Sequence, residues 1–94
     1  MIAFPDYIYK LPQGPNRDIA ITRFGLKLAA IYATEEGSLK AFADALGISH
    51  TMVKEWSAGR QRVSAQSAIA IEKLVGRHII QREVFRPDLF LIEG

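Results

Sequence analysis

The chain has 94 residues, of which 49% are hydrophobic and 23% charged, and its formal net charge is +2. This size and composition predict one globular domain with a modest core and exclude a disordered tail. The absence of cysteine excludes disulfides and thiolate metal sites. Because we see neither a signal peptide nor an apolar run of roughly 20 residues, we expect a cytoplasmic protein without membrane contact.

The charges are unevenly distributed along the chain. Basic and acidic residues balance, four against four, in residues 1–37 and again in residues 65–94. Residues 38–64 hold four basic residues against two acidic ones. The positive excess therefore lies in the middle of the chain, which favours a polyanionic partner for that segment.

Residues 1–17 are predicted to form a non-helical extension, and residues 18–94 the domain. Three prolines and Gly14 oppose a long helix near the start of the chain. The spacing of aromatic residues between Phe4 and Lys10 indicates a short extended arm that packs on the domain or on a second subunit. A partly ordered terminus is the alternative.

The first helix of the domain is predicted to begin near Asp18, which would cap it, and to run to about Glu36. Gly37 is the expected stop. Apolar residues at helical spacing predict its inward stripe, which consists of Ile21, Phe24, Gly25, Leu28, Ile31 and Tyr32.

The sequence pattern of residues 39–59 predicts two short helices joined by a tight turn. The first helix, capped by Ser38, has apolar residues at i, i+3, i+4 and i+7, namely Leu39, Phe42, Ala43 and Leu46. Gly47 is expected to end it in a left-handed conformation, and Ile48 to fill the angle between the two helices. The second helix runs from its cap, Ser49, to about Ala58 and turns Val53 and Trp56 inward.

A fourth helix and an apolar tail are predicted to follow the loop at residues 60–63. Ser64 caps this helix and Gly76 ends it, with an inward stripe formed by Ala68, Ile71 and Val75. One further helical turn is expected at residues 81–85, and Pro87 prevents its extension. The apolar residues 89–92 are expected to pack on the first helix or to meet a second subunit.

The motif at residues 39–59 resembles the DNA-binding unit of the Cro/cI-type repressors. The residues that match that family's structural positions are Phe42, Ala43, Gly47, Ile48, Val53 and Trp56. The sequence that follows is similar to the YdaS-like branch, small prophage regulators described as antitoxins or Cro-like repressors, with the closing segment Arg86-Pro87-Asp88-Leu89-Phe90. The resemblance implies an all-α, lambda-repressor-like helix-turn-helix domain of four to five helices.

The outward face of the second motif helix carries the predicted base contacts, which are Ser49, His50, Thr51, Lys54 and Glu55. Lys54 can donate to guanine and the Thr51 methyl can touch thymine, while Glu55 can accept from cytosine or pair with a Lys or Arg of the same chain. The predicted phosphate contacts are Ser38 and Lys40 at a helix N-terminus, and Arg60 and Arg62 in the following loop. The alternative for each residue is an ordinary solvated side chain.

We therefore predict a homodimeric transcriptional regulator, a Cro-like prophage repressor, that binds a specific double-stranded DNA sequence. The alternative is an antitoxin-like interaction module whose main partner is another, toxin-like protein. No phosphate-binding loop, metal-ligand spacing or catalytic pair is present, so we expect no enzyme activity, no cofactor and no metal.

Overall fold

The chain is all-α over the residues that the computed structural model describes, which are Ile8 and residues 10–12 and 14–90. Residues 14–90 form six helices: α1 (Pro15–Ala33), α2 (Leu39–Leu46), α3 (His50–Ala58), α4 (Ala65–Val75), α5 (Arg82–Phe85) and α6 (Pro87–Phe90). The predicted all-α class is confirmed. The predicted turn at residues 81–85 is α5, and α6 is an additional turn that begins at Pro87, where a proline suits the first position of a helix.

Both ends of α1 differ from the prediction. The helix begins at Pro15 instead of near Asp18, because proline has a helix-compatible φ and lacks the N–H that would be unpaired in the first turn. It ends at Ala33 instead of Glu36. There the Thr34 hydroxyl donates to the carbonyl of Ala30 at 2.9 Å and accepts the amide of Gly37 at 2.9 Å, which turns the chain away from the helix axis.

The inward stripe of α1 was also predicted wrongly in part. The buried residues are Gly25, Leu26, Ala29 and Ala30. Ile31 is 61% exposed and Tyr32 59% exposed, so neither contributes to the core. The reason is the helical rotation of about 100° per residue, which carries positions 31 and 32 away from a face centred on Leu26 and Ala30.

Local capping explains the boundaries of α2, α3 and α4. Ser38, Ser49 and Ser64 each accept a hydrogen bond from the backbone amide three residues later, at 3.1–3.2 Å, as predicted. Gly47 and Gly59 follow α2 and α3 in the left-handed conformation, with φ of 73° and 81°. Glycine adopts this conformation without steric strain, so both helices end where the sequence predicted.

The core lies between α1 and the surrounding helices. The fully buried side chains of Leu26, Phe42, Val53 and Ile71 meet there, and α1 packs against α2, α3, α4 and α5. Phe90 of the predicted apolar tail packs against this core, whereas Leu89 is exposed. The core therefore fixes α2 and α3 against α1.

The predicted N-terminal arm lies outside the described residues except for Ile8 and residues 10–12. Ile8 is fully buried and helical, and its carbonyl accepts the amide of Leu11 at 3.2 Å, so the chain is not extended at this residue. Helix α1 runs through residues 17 and 18. The division of the chain at that point stays a prediction.

Candidate nucleic-acid interface

Helices α2 and α3 form a helix-turn-helix whose internal packing orients α3. Phe42 and Ala43 of α2 and Val53 and Trp56 of α3 are buried in the core. The amide of Ile48 donates to the carbonyl of Ala43 at 3.0 Å, which closes the turn between the helices. With Val53 and Trp56 directed inward, one long face of α3 is directed away from the domain.

The outward face of α3 carries polar residues in positions that share one side of the helix. Thr51 and Lys54 are exposed and lie three residues apart, and Glu55 follows Thr51 by four residues. His50, the first residue of α3, is exposed beside them. Lys54 forms no ion pair with any of the described residues. This face thus presents an ammonium group, a hydroxyl and an imidazole to the solvent.

Ser49 and Ser38 hold the N-terminal ends of α3 and α2. The Ser49 hydroxyl accepts the amide of Met52 at 3.2 Å, and the Ser38 hydroxyl accepts the amide of Ala41 at 3.1 Å. Both serines are exposed, as is Lys40 next to Ser38. A helix N-terminus carries partial positive charge and amides that suit an anion, so the start of α2 and Lys40 together favour a negatively charged ligand.

Glu55 and Arg60 form an ion pair at the C-terminal end of α3. The Arg60 Nε donates to Glu55 Oε2 at 2.7 Å. This hydrogen bond lowers the pKa of Glu55 and raises the pKa of Arg60, so both groups stay charged. Of the two alternatives predicted for Glu55, the structure shows the pairing with a residue of the same chain.

Arg62 lies against the C-terminal segment of the chain. Its Nη2 donates to Asp88 Oδ1 at 3.3 Å, while Arg86 holds the same carboxylate through two shorter bonds of 3.0 and 2.8 Å. Arg86 also donates to the carbonyl of Val63 at 3.2 Å. The hydrogen bonds from Arg86, and after them the positive charge of Arg62, lower the pKa of Asp88 to about 2. The closing segment therefore fixes the loop that follows α3.

Arg23 is a contact that the sequence analysis missed. Its Nε on α1 donates to the carbonyl of Ser57, in the last turn of α3, at 3.0 Å. The partial negative charge at the C-terminal end of a helix also stabilises a cation at this position. No local sequence signal indicates the bond, because the two residues are 34 positions apart.

A second missed feature is a network of ion pairs centred on Glu72 of α4. Its side chain is only 7% exposed and accepts from Arg77 at 2.7 Å and from Arg82 at 2.8 Å. The backbone amide of Arg82 donates to it as well, at 2.8 Å. Arg77 in turn binds Glu83 at 2.6 Å. The bonds from Arg82, and after them those from Arg77, lower the pKa of Glu72 to about 2.

The described part of the chain contains no group of three or more His, Cys, Asp or Glu side chains that could hold a metal ion. None of its helices combines the length and the apolar character that crossing a membrane requires.

The chain is similar to a known family. Residues 29–92, more than half of the chain, match the model of the family described as "Bacterial toxin YdaS". No curated protein and no solved structure matches the chain. The predicted YdaS-like resemblance is confirmed, although the family description names a toxin where we expected an antitoxin or a repressor. The resemblance to Cro/cI-type repressors stays an interpretation of the motif.

Proposed function

This chain belongs to the family described as bacterial toxin YdaS, and from the geometry of α2 and α3 we propose that it is a sequence-specific double-stranded DNA-binding regulator of the Cro/cI-like kind. The observation that carries the proposal is the outward face of α3. Its inward residues, Val53 and Trp56, are buried in the core, while Thr51 and Lys54 are exposed on the opposite side. A helix supported in this way can enter a major groove.

The N-terminal half of α3 would read the bases. Lys54 donates to guanine O6 and N7, and the Thr51 methyl contacts a thymine methyl. Ser49 and His50 lie at the start of the helix, where they can donate to a base edge or a phosphate. Each well-formed base contact contributes about 1–3 kcal/mol of discrimination, so loss of Lys54 would blur the preferred sequence measurably.

The phosphate contacts would lie at the two ends of the motif. Ser38 and Lys40 start α2, and Arg60 and Arg62 follow α3. Both arginine side chains are more than 60% exposed despite their ion pairs. Such contacts position a protein on the duplex without reading its sequence, and they make affinity depend steeply on salt.

The active species would be a two-fold dimer on a near-palindromic site. A single motif of this size offers few base contacts, and dimers of this class place their recognition helices about 34–36 Å apart. The Cα positions of one copy extend over 33 × 26 × 22 Å. Two copies side by side therefore have a suitable size to bind successive major grooves on one face of the duplex.

A second candidate function is binding to another protein, of the toxin or antitoxin kind. The exposed apolar side chains of Ile31 and Tyr32 at the end of α1 favour it. Salt separates the two functions, because binding through several phosphates weakens steeply as salt rises, whereas docking of apolar surfaces changes little.

The experiment that tests DNA binding is selection of bound sequences from a random duplex pool at about physiological salt. It is run with the wild-type protein, with Lys54→Ala and with Lys73→Ala as the matched control. Lys73 is an exposed lysine on α4 without an ion pair among the described residues, so its loss changes the net charge equally.

We expect a palindromic motif from the wild-type protein and from Lys73→Ala, and a blurred motif from Lys54→Ala. No enrichment by the folded wild-type protein would contradict sequence-specific binding and favour the protein-binding function. Enrichment of an identical motif by all three proteins would show that α3 does not read the bases through Lys54.

A further inference from the structure

Glu55 occupies an unexpected place for an acidic residue if α3 lies in a major groove. It follows Thr51 by one helical turn and Lys54 by one position, on the outward face of the helix. An isolated carboxylate there would be repelled by the phosphates on both sides of the groove. The side chain is only 28% exposed, however, and it forms an ion pair with Arg60 at 2.7 Å.

Arg60 uses only part of its hydrogen-bonding capacity in this pair. A guanidinium carries five N–H donors, one on Nε and two on each terminal nitrogen. Glu55 takes the Nε–H, and the terminal nitrogens of Arg60 bind no other group in the described part of the chain. The side chain of Arg60 is 64% exposed. The two terminal nitrogens are thus available for an external anion while Nε stays bound to Glu55.

The backbone around the pair restrains Arg60 at its other end. The Arg60 amide donates to the carbonyl of Glu55 at 3.0 Å, and the Gln61 amide donates to the same carbonyl at 3.3 Å. Gly59, in the left-handed conformation, turns the chain so that these bonds can form. Arg60 is therefore tied to Glu55 through its backbone and its side chain, and few of its rotamers remain to be lost on binding.

We propose that Glu55 is a positioning residue for Arg60, which it orients through Nε so that the terminal nitrogens of Arg60 bind a DNA phosphate. The inference rests on the proposed function and replaces a base contact by Glu55 with an indirect role. Arginine forks match phosphate oxygens in pairs, and a fixed fork gives a better-defined bond than a mobile one. The acidic residue thereby strengthens binding to a polyanion.

Positioning of Arg60 and simple neutralisation of its charge predict opposite changes in DNA affinity when Glu55 is removed. If Glu55 only cancelled the charge of Arg60, its removal would tighten DNA binding. If Glu55 positions Arg60, removal weakens binding although the net charge becomes more positive. A double-mutant cycle between the two residues isolates the effect, because it subtracts whatever Glu55 does independently of Arg60.

The test measures dissociation constants for the sequence selected by the wild-type protein and for a random duplex of equal length, at low and at physiological salt. The variants are Glu55→Ala, Glu55→Gln, Arg60→Ala and the double variant Glu55→Ala with Arg60→Ala. Asp44→Ala is the matched control, since Asp44 is an exposed acidic residue of α2 without an ion pair among the described residues. Circular dichroism melting establishes that each variant folds.

We expect Glu55→Ala to weaken binding about threefold to tenfold on both duplexes, in keeping with the loss of one oriented hydrogen bond. Glu55→Gln should recover part of the loss, because its amide oxygen can still accept from Nε. In the Arg60→Ala background, Glu55→Ala should produce no loss. Asp44→Ala should bind as tightly as the wild-type protein or more tightly.

Three outcomes contradict the inference in different ways. Tighter or equal binding by Glu55→Ala would show that the pair only neutralises charge. An equal loss in the Arg60→Ala background would show that Glu55 acts without Arg60, as a base contact would. A folded wild-type protein that selects no sequence and does not bind the random duplex at low salt would overturn the proposed function, and the inference with it.

Discussion

The segment from Glu72 to Asp88 and the helix-turn-helix surface use positive charge in different ways. In the C-terminal segment, Arg77, Arg82 and Arg86 all bind carboxylates at 2.6–2.8 Å. On the motif, Lys40 and Lys54 have no ion pair with the described residues. Cations in the first region hold helices together, whereas those in the second are available to a ligand.

This difference shows that, for binding an anionic ligand, the number of cationic groups without a partner in the chain matters more than the net charge. A formal net charge of +2 is modest for a protein proposed to bind DNA. The arginines of the C-terminal segment contribute little to an external field, because their partners cancel them at close range. Lys40 and Lys54, without an ion pair among the described residues, leave positive charge where the proposed interface needs it. Arg60 adds exposed N–H donors there, although Glu55 neutralises its charge.

The largest expected effect is on stability, from Glu72→Gln. The change removes the charge that Arg77 and Arg82 share, and Glu72 itself is nearly buried. We expect the free energy of unfolding to fall by about 2–3 kcal/mol, below the range for fully buried pairs because both arginines are partly exposed. Urea denaturation measures it, with Glu83→Gln, which removes only the pair with Arg77, as a milder control.

An unchanged urea midpoint for Glu72→Gln would contradict the structural role of the Glu72 network, since it would mean that the network contributes as little to stability as a surface ion pair. DNA affinity per folded molecule should stay at the wild-type value in both variants. A loss of DNA affinity without a loss of stability would instead indicate that the segment from Glu72 to Asp88 contacts the DNA.

The Glu72 network should also make the free energy of unfolding depend on pH. The pKa of Glu72 falls from 4.5 to about 2 on folding, so its contribution is fully present above about pH 4.5 and is lost as the pH falls toward 2. The pKa values of Glu83 and Asp88 are lowered as well, which adds in the same direction. Urea midpoints measured between pH 7 and pH 2.5 should fall less steeply in Glu72→Gln than in the wild-type protein.

The helix-turn-helix was predictable because its determinants are local. Ser49 caps α3 through a bond to Met52, three residues away, and Gly47 ends α2 through its own backbone conformation. The burial of Val53 and Trp56 follows from their spacing on one helix. A short window of sequence therefore contains the information that places the candidate interface.

The remaining features depend on contacts between distant residues. Arg62 meets Asp88 across 26 positions, and Arg82 reaches Glu72 across ten, so no local pattern indicates either pair. The exposure of Ile31 and Tyr32 depends on which face of α1 the other helices cover. Charge counts could not separate structural arginines from available lysines, because the distinction arises only when the chain is folded.

A smaller effect is expected from Lys40→Ala, which tests the start of α2. Lys40 is exposed beside the helix N-terminus, so its loss should weaken binding to selected and random duplexes by the same factor. The slope of log affinity against log salt should decrease by about 0.9, the value for one phosphate contact. Fluorescence anisotropy titrations at several salt concentrations measure it, and Lys73→Ala, with an unchanged slope, is the control. A selective loss on one sequence would place Lys40 at a base instead.

The smallest effect is expected from Arg62→Ala, because Arg62 belongs to both regions. Its exposed guanidinium bonds Asp88 at 3.3 Å, but Arg86 holds that carboxylate more closely, so the closing segment stays in place without Arg62. A phosphate must compete with Asp88 for Arg62, and the salt slope should therefore fall by less than about 0.9. Asp88→Asn should have the opposite effect, since it releases Arg62 toward the DNA while Arg86 can still bond to the Val63 carbonyl. If Arg62→Ala and Asp88→Asn both reduce DNA binding, Asp88 orients Arg62 as Glu55 is proposed to orient Arg60. The closing segment would then contribute to DNA binding through Asp88 and not only to stability.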